Sequence, residues 1–430
     1  MVVMEELMRI AHPLQSPADL EPLLDLIGDA RFVLLGEASH GTREYYDWRA
    51  EISKRLITEK GFDFIAVEGD WPECYEVNNY IKSEDTATPP HTALKAFKRW
   101  PTWMWNNHEV GALIKWLRNH NQKKEPGHKV GFYGLDVYSL WESLAAVTRY
   151  LEKYEPKAVG VARQAYRCFE PYGENFEEYA HASAFVPESC EPEVLGILAH
   201  LRENRAALRK KDPESYFDAE QNAVVAQNAE HYYRIMLRGG AASWNARDQH
   251  MVETLERLMV HHGKHSRAIV WAHNTHIGDA RATDMHNAGM LNVGQLVRER
   301  HMAAGVVLAG FGSYEGTVVA AKAWDTPSEA MRLPRAMAGS WEAEMHETFG
   351  ADKLLLLRGL PRHSGLFEAH GHRAVGVVYH PSAEVGNYVS TRLASRYDAF
   401  LYCDKTNALK PYMSHPIFDH ELPETYPTGV

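Results

Sequence analysis

The sequence contains few cysteines and no long hydrophobic run. Its four cysteines, spread over 430 residues, form no C-x-x-C pair, so neither a zinc knuckle nor a disulfide framework is expected. The longest apolar run, residues 303–311, is too short to span a bilayer, and the N-terminal segment has acids where a signal peptide has bases. We therefore expect reduced thiols and a cytoplasmic protein.

Positive charge is also scarce, because 57 acidic residues outnumber 46 lysines and arginines and leave a net charge of -11. Such a chain gains little from counterion release on nucleic acid or from attraction to anionic lipid, so neither is an expected partner. Apolar residues make up 45% of the chain, and its 30 glycines and 21 prolines are scattered, which is typical of a globular protein. The length fits two or three domains or one large enzyme domain with an insertion, and nothing in the sequence specifies an oligomeric state.

Several common catalytic motifs are missing. The chain has no G-x-S-x-G pentapeptide, no Walker P-loop, no kinase motif set and no H-E-x-x-H. The glycine-containing segment 310–316 is similar to a dinucleotide-binding loop, but its third glycine comes one residue late and no helix clearly follows it. We therefore predict no bound cofactor.

What the sequence does contain is four apolar runs that end in polar residues. The first run, residues 33–35, leads into Gly-Glu-Ala-Ser-His-Gly and then into an amphipathic stretch, a pattern that predicts strand, tight turn and helix. The runs at 62–67, 129–135 and 267–272 also end in acids or histidines. The polar residues at these four ends are Glu37, His40, Glu68, Asp136, His273 and His276.

These patterns predict an α/β fold with a mostly parallel central sheet and flanking helices. In such a sheet the carboxyl ends of the strands border the crevice where ligands bind, so the six polar residues are expected to share it. Residues 1–138 and 264–430 are predicted to form the two parts of the α/β core domain. Residues 139–263 show long helical periodicity with little strand signal, which predicts a large helical insertion that forms a cap.

An arginine is expected to face this crevice from the first helix. Tyr45, Arg49, Ile52 and Leu56 recur at the spacing of one helical face, so Arg49 points inward with apolar residues. A buried guanidinium needs an anionic partner, and Glu37 or Glu68 is the obvious one. The alternative is that Arg49 extends along its stem to solvent.

Asp136 and two tryptophans are predicted to contact a substrate. Trp103 and Trp105 belong to a segment with three tryptophans in six residues, 100–105, which could line an apolar cleft. An equally good interpretation is an aromatic core beneath a loop, because tryptophan buries a large area.

Activation of water is the chemistry that these residues fit best. His40 precedes a helix whose N-terminal dipole disfavours the imidazolium, which suits a general base near neutral pH. Glu37 could fix the tautomer of His40 or hold the water, while Arg49, His273 and His276 are candidates to bind the substrate carbonyl or the oxyanion. Two alternatives stay open: the same histidines and carboxylates could coordinate zinc or manganese, or the cleft could bind a ligand without converting it.

The motifs, taken together, resemble those of the erythromycin esterase family. They are Leu-Gly-Glu-Ala-Ser-His-Gly with Arg49 downstream, Ala-Val-Glu-Gly-Asp, Gly-Leu-Asp, and Trp-Ala-His-Asn-Thr-His-Ile, in this order over most of the chain. The resemblance implies hydrolysis of a macrolide lactone by water without a required metal, and hence antibiotic inactivation. It implies that His40 is the general base and that a small-molecule ester or lactone is the substrate. The matching site positions are Glu37, Arg49, Glu68, His273 and His276.

Overall fold

The computed structural model describes residues 2–85, 87–172, 179, 189–236 and 239–412. It confirms the predicted α/β class, with helices flanking a nine-stranded sheet and a separate two-stranded sheet. The strands are β1 (Ala11–Pro13), β2 (Phe32–Leu35), β3 (Phe64–Asp70), β4 (Gly131–Asp136), β5 (Ala268–Trp271), β6 (Val306–Ala321), β7 (Ser328–Leu333), β8 (Lys353–Leu356), β9 (Ala369–Arg373), β10 (Tyr388–Arg392) and β11 (Ala399–Thr406).

Most helices lie between these strands in sequence, as expected for an α/β protein. The α-helices of the described residues are α1 (Val2–Ile10), α2 (Glu21–Ile27), α3 (Arg43–Lys60), α4 (Trp71–Lys82), α5 (Pro90–Leu94), α6 (His108–Asn121), α7 (Leu140–Tyr154), α8 (Val159–Phe169), α9 (Glu191–Glu203), α10 (Arg205–Lys211), α11 (Pro213–Met236), α12 (Ala241–His262), α13 (Asn274–Ile277), α14 (Val293–His301), α15 (Trp341–Phe349) and α16 (Leu393–Arg396). None of them combines the length and apolar character that crossing a bilayer requires.

The large sheet runs in the order β1-β8-β11-β6-β2-β5-β3-β4, and β7 pairs with β6 at one side of this path. Neighbours from β11 to β4 are all parallel, whereas β1, β7 and β8 pair antiparallel with their neighbours. The segment 310–316 lies inside β6 and is therefore strand rather than a dinucleotide-binding loop. The carboxyl ends of β2, β5, β3 and β4 consequently meet along one edge.

The central strands form because their apolar runs are covered on both faces. Every residue of β2 and β5 is buried, as is typical of parallel strands between two helical layers. Helix α3 covers one face and ends at Gly61, whose φ of 67° lies in the left-handed region that favours glycine. Its inward face buries Tyr45, Arg49, Ile52 and Leu56 as predicted.

The helices between β4 and β5 form a block of their own at the sheet's edge. Helices α7, α8, α9 and α11 share a hydrophobic core that is separate from the two cores against the sheet. Helix α12 differs, because Met251, Leu255 and Leu258 pack into the core on one face of the sheet. The division of the chain into two core parts, residues 1–138 and 264–430, and a helical insertion, residues 139–263, stays a prediction.

The expectation of four reduced thiols is wrong for two of them. Cys168, near the end of α8, forms a disulfide with Cys190, which directly precedes α9. The pairing depends on how these helices pack, which the spacing of 22 residues does not reveal. Cys74 and Cys403 are free and buried.

Candidate active site

The predicted site residues lie at the carboxyl ends of four neighbouring strands. Glu37 and His40 follow β2, and His273 follows β5. Glu68 lies near the end of β3, and Asp136 ends β4. All of these side chains are buried, as is His276 on the short helix α13 after β5.

The first of two polar networks orients His40. Arg49 donates from Nη2 to Glu37 Oε2 at 2.7 Å, and Glu37 Oε1 lies 3.0 Å from His40 Nδ1. A carboxylate only accepts hydrogen bonds, so Nδ1 carries the ring proton and Nε2 keeps a free lone pair. The arrangement leaves Nε2 as the atom of His40 that can accept a proton.

Arg49 is fully buried, which excludes the alternative that it reaches solvent. Its guanidinium carbon lies 4.4 Å from the centre of the Tyr46 ring and 4.7 Å from that of Trp271. Aromatic faces and one carboxylate therefore compensate part of the hydration that the guanidinium loses on burial, while its Nε and Nη1 have no hydrogen-bond partner among the described residues.

The second network centres on Arg247 of α12. Its Nε and Nη2 donate to the two oxygens of Asp136 at 2.9 and 2.7 Å, and Nη2 also donates to Glu68 Oε1 at 2.8 Å. Burial alone would lower the pKa of Arg247, but Asp136 and Glu68 outweigh it and raise that pKa well above its ordinary value. Burial alone would raise the pKa of Glu68. His276 and Arg247 outweigh burial and hold that pKa well below its usual range.

His276, on the short helix α13 that follows β5, also belongs to this second network. Its ring stacks on Trp244 with centroids 4.5 Å apart, and its Nδ1 lies 2.8 Å from Asp248 Oδ1. Burial lowers the pKa of His276, but Asp248 and Glu68 outweigh burial and raise it to about 9. Burial also raises the pKa of Asp248, although that carboxyl group accepts a second hydrogen bond, from the Val293 amide, which favours its charged form.

The charge on His276 decides the partner of its other nitrogen. Nε2 lies 3.0 Å from Arg247 Nη1 and 3.4 Å from Glu68 Oε1. A neutral ring would accept from Arg247, whereas a protonated ring donates toward Glu68. We assign the protonated form, because Glu68, Asp136 and Asp248 supply three negative charges and Arg247 balances only one of them.

His273 lies between the two networks. Its backbone amide donates to Glu68 Oε2 at 2.8 Å, and its ring centre is 4.9 Å from that of His40. Its Nδ1 accepts from the Thr275 amide at 3.3 Å, so Nε2 carries the proton, and this buried Nε2 has no hydrogen-bond partner among the described residues. Burial and His40 keep the pKa of His273 well below its ordinary value, against the opposing effects of Glu68 and the Ala38 backbone, so the ring is neutral.

Two glycines allow the turn after β2 to pack this closely. A Cβ atom on Gly36 would lie 2.1 Å from Asn274 Oδ1, and one on Gly41 would lie 1.9 Å from the Val319 carbonyl oxygen. Glycine is therefore required on both sides of the segment that carries Glu37 and His40.

A cavity of about 80 Å³ opens beside these networks. His40, Glu68, Asp136 and Arg247 line it, and Trp105 forms part of its wall. Of the residues predicted to bind substrate, Trp105 thus borders the cavity and Asp136 borders it while paired with Arg247. Trp103 is buried outside the lining, in keeping with an aromatic core residue.

Arg247 and Asp248 are the two members of the networks that the sequence analysis does not predict. Their signal is present in α12, where Trp244, Arg247, Met251 and Leu255 recur at the spacing of one helical face. An arginine on such a face indicates a buried partner, as it does for Arg49.

The geometry gives no support to the metal alternative. In the part of the chain that the structure describes, no group of three or more histidine, cysteine, aspartate and glutamate side chains is arranged to hold a metal ion. Glu37, Glu68 and Asp136 accept instead from arginines.

A parallel sheet with a carboxylate-oriented histidine at its crevice defines an α/β protein with an enzyme-like polar site. The model of the erythromycin esterase family matches residues 57–406, and the chain belongs to that family. Membership indicates a hydrolase.

Comparisons with individual proteins agree with this assignment. Erythromycin esterase type II from Escherichia coli is 24% identical over 286 residues, which are 63% of this chain and 66% of that protein. A solved protein from Bacillus cereus has a TM-score of 0.78 at 22% identity, covering 96% of this chain and 98% of its own. A mutant of erythromycin esterase EreC in its open conformation has a TM-score of 0.68 at 17% identity, and the match covers 95% of this chain and 97% of that chain. The two structures share the fold of this chain.

Proposed function

We propose that this protein hydrolyses a carboxylic ester or a lactone by direct attack of water that His40 activates. The observation that carries the proposal is the chain of contacts from Arg49 through Glu37 to His40 Nδ1. It leaves Nε2 of His40 as a proton acceptor on a side chain that lines the cavity.

In the proposed reaction a water molecule attacks the ester carbonyl carbon and gives a proton to His40 Nε2. Glu37 stabilises the imidazolium that forms, and Arg49 holds Glu37 in place. Glu68 lines the same cavity as a carboxylate and can accept a hydrogen bond from the attacking water. Collapse of the tetrahedral intermediate then releases a carboxylic acid and an alcohol.

The negative charge that develops on the carbonyl oxygen needs a donor. His273 is the best candidate, because its Nε2–H is buried next to His40 and has no partner among the described residues. Arg49 also has partnerless nitrogens, Nε and Nη1, but its guanidinium pairs with Glu37 and lies against the rings of Tyr46 and Trp271. His276 is less suited because its Nδ1 is paired with Asp248. The proposed task of Arg49 and His276 is to hold Glu37 and Glu68 in position.

A macrolide lactone is the first substrate to test. The matched relative from Escherichia coli is named an erythromycin esterase type II, which supports this choice and the associated role in antibiotic inactivation. The cleft also contains the aromatic side chains of Trp100 and Trp105, which suit an apolar ring.

The test is hydrolysis of a panel of macrolides, simple lactones and esters, followed by mass spectrometry for the gain of one water. We expect His40→Ala to lower kcat/KM by at least about 100-fold, the usual contribution of a general base. His286→Ala is the matched control, because His286 is exposed and outside the cavity. Absence of turnover on the whole panel, or a His40→Ala protein as active as the control, would refute the proposal.

A further inference from the structure

Glu73 is a carboxyl group in the cleft that has no role in the steps above. Glu73 lies in the first turn of α4, three residues after the end of β3, and is only 8% exposed. It lines the cavity together with His40 and Glu68. Its Oε2 is buried and has no hydrogen-bond partner among the described residues. A buried oxygen in this situation is available to a bound ligand.

The groups around Glu73 are predominantly acidic. Asp70 and Glu142 are the carboxylates that act electrostatically on Glu73, and the guanidinium of Arg99 lies 3.6 Å from Asp70 Oδ2 and 2.9 Å from Glu142 Oε2. Arg99 is thus shared among these groups and does not form a dedicated pair with Glu73. Across the cavity lie two more carboxylates, Glu68 and Asp136, and the cations of that wall are His40 when protonated and Arg247.

This environment favours the neutral acid. Burial is the largest cause that raises the pKa of Glu73, and Asp70 and Glu142 raise it further, while Arg99 and the Glu73 backbone amide act in the opposite direction. The net result is a pKa well above the ordinary value for glutamic acid, which favours the protonated form of Glu73. A protonated carboxyl group can donate, which a carboxylate cannot.

We propose that Glu73 is the general acid that protonates the leaving oxygen of the ester, an inference that rests on the proposed hydrolase function. When the tetrahedral intermediate collapses, the bond from carbon to the leaving oxygen breaks and its electron pair stays on that oxygen. The carboxyl proton of Glu73 moves to the same oxygen, which leaves as an alcohol. The imidazolium of His40 then returns a proton to Glu73 through water in the cleft, and both residues regain their starting forms.

The test compares two esters with the same acyl group, ethyl butyrate and 4-nitrophenyl butyrate. An alkoxide needs a proton to leave, whereas nitrophenolate leaves readily without one. We expect Glu73→Gln to lower kcat/KM for the ethyl ester by about 100-fold or more and for the nitrophenyl ester by less than about 10-fold. The matched control is Glu76→Gln, the same change on the exposed face of the same helix, which should affect neither ester.

Wild-type measurements keep the inference testable if the Glu73 variant does not fold. The rate on the ethyl ester should fall on the alkaline side as Glu73 ionises, and the rate on the nitrophenyl ester should not. Equal losses on the two esters with equal pH profiles, or no loss on either, would overturn the role of Glu73 while leaving the proposed hydrolase intact. A wild-type protein that cleaves no ester would overturn both.

Discussion

Burial is the shared condition of the charged residues at this site. Arg49 and Glu37 are almost fully inaccessible, and Arg247 joins Glu68 to Asp136 in similar isolation. The free-energy cost of desolvating each ion is recovered only while its partners stay in place. Replacing one member should therefore harm both the stability of the fold and the orientation of the catalytic groups.

We predict that Arg49→Met lowers the free energy of unfolding by about 3–5 kcal/mol, because it leaves Glu37 charged and unpaired in the interior. The double variant Arg49→Met with Glu37→Gln should recover much of that stability but little of the activity, since His40 then lacks a carboxylate. Urea unfolding and kcat/KM on the best substrate measure the two effects. Arg43→Met removes the exposed pair with Asp47 and should cost at most about 1 kcal/mol. Equal losses from the two single variants would contradict the argument.

The pKa of His276 predicts a specific pH dependence of stability. It is about 9 in the folded chain against an ordinary 6.5, a difference that corresponds to about 3 kcal/mol. Because the folded value is the higher one, this contribution is complete below pH 6.5 and is lost as the pH rises through about 9.

Urea unfolding at pH 6 and pH 9 should show this loss in the wild type. His276→Gln cannot titrate, so its free energy of unfolding should change by about 3 kcal/mol less over the same interval. Parallel changes in the two proteins would show that His276 is not protonated in the folded chain.

At the scale of helices and strands, much of the site could be predicted because its signals are local. The run before Glu37 and the run before Glu68 each mark a buried strand, and a parallel sheet brings their ends together. The spacing that predicts the inward direction of Arg49 is equally local. Which carboxylate pairs with Arg49 depends on the packing of α3 against the sheet, and the sequence pattern allowed both Glu37 and Glu68.

The unpredicted residues depend on contacts between distant elements. Arg247 and Asp248 reach the site only because α12 packs beside β4 and α14, an arrangement that periodicity does not encode. The electrostatic environment of Glu73 likewise depends on residues far away in sequence, such as Arg99 and Glu142. The pairing of Cys168 with Cys190 also depends on how separate helices pack together.

The disulfide between α8 and α9 gives a prediction at this scale. Protein purified without reductant should contain two thiols that react with an alkylating agent after denaturation, Cys74 and Cys403, and four after reduction. Replacing Cys168 and Cys190 with serine should lower the free energy of unfolding by about 3 kcal/mol, given their separation of 22 residues. Four reactive thiols without reduction would contradict the assignment.

Over the whole molecule, the strand ends of the sheet supply most of the site, and α12 adds Arg247 to it. Helix α12 is continuous in sequence with the helices of the block, yet its apolar face packs into the core against the sheet and its Arg247 binds strands β3 and β4. The sequence analysis predicted a helical insertion between the two parts of the core, and the fold contains these helices between β4 and β5. The periodicity did not reveal that α12, the last of these helices, contributes Arg247 to the site.

The position of α12 sets a limit on how this scaffold can be recombined. A chimera that exchanges the helices of residues 140–236 for those of a relative would retain the ion pairs that Arg49 forms with Glu37 and that Arg247 forms with Glu68 and Asp136. An exchange extended through residue 262 would import a foreign helix opposite two native acids, Glu68 and Asp136, with no assurance of an arginine at the position of Arg247. Exchanges that end before α12 therefore keep Arg247 on the same protein as the strand residues that it binds.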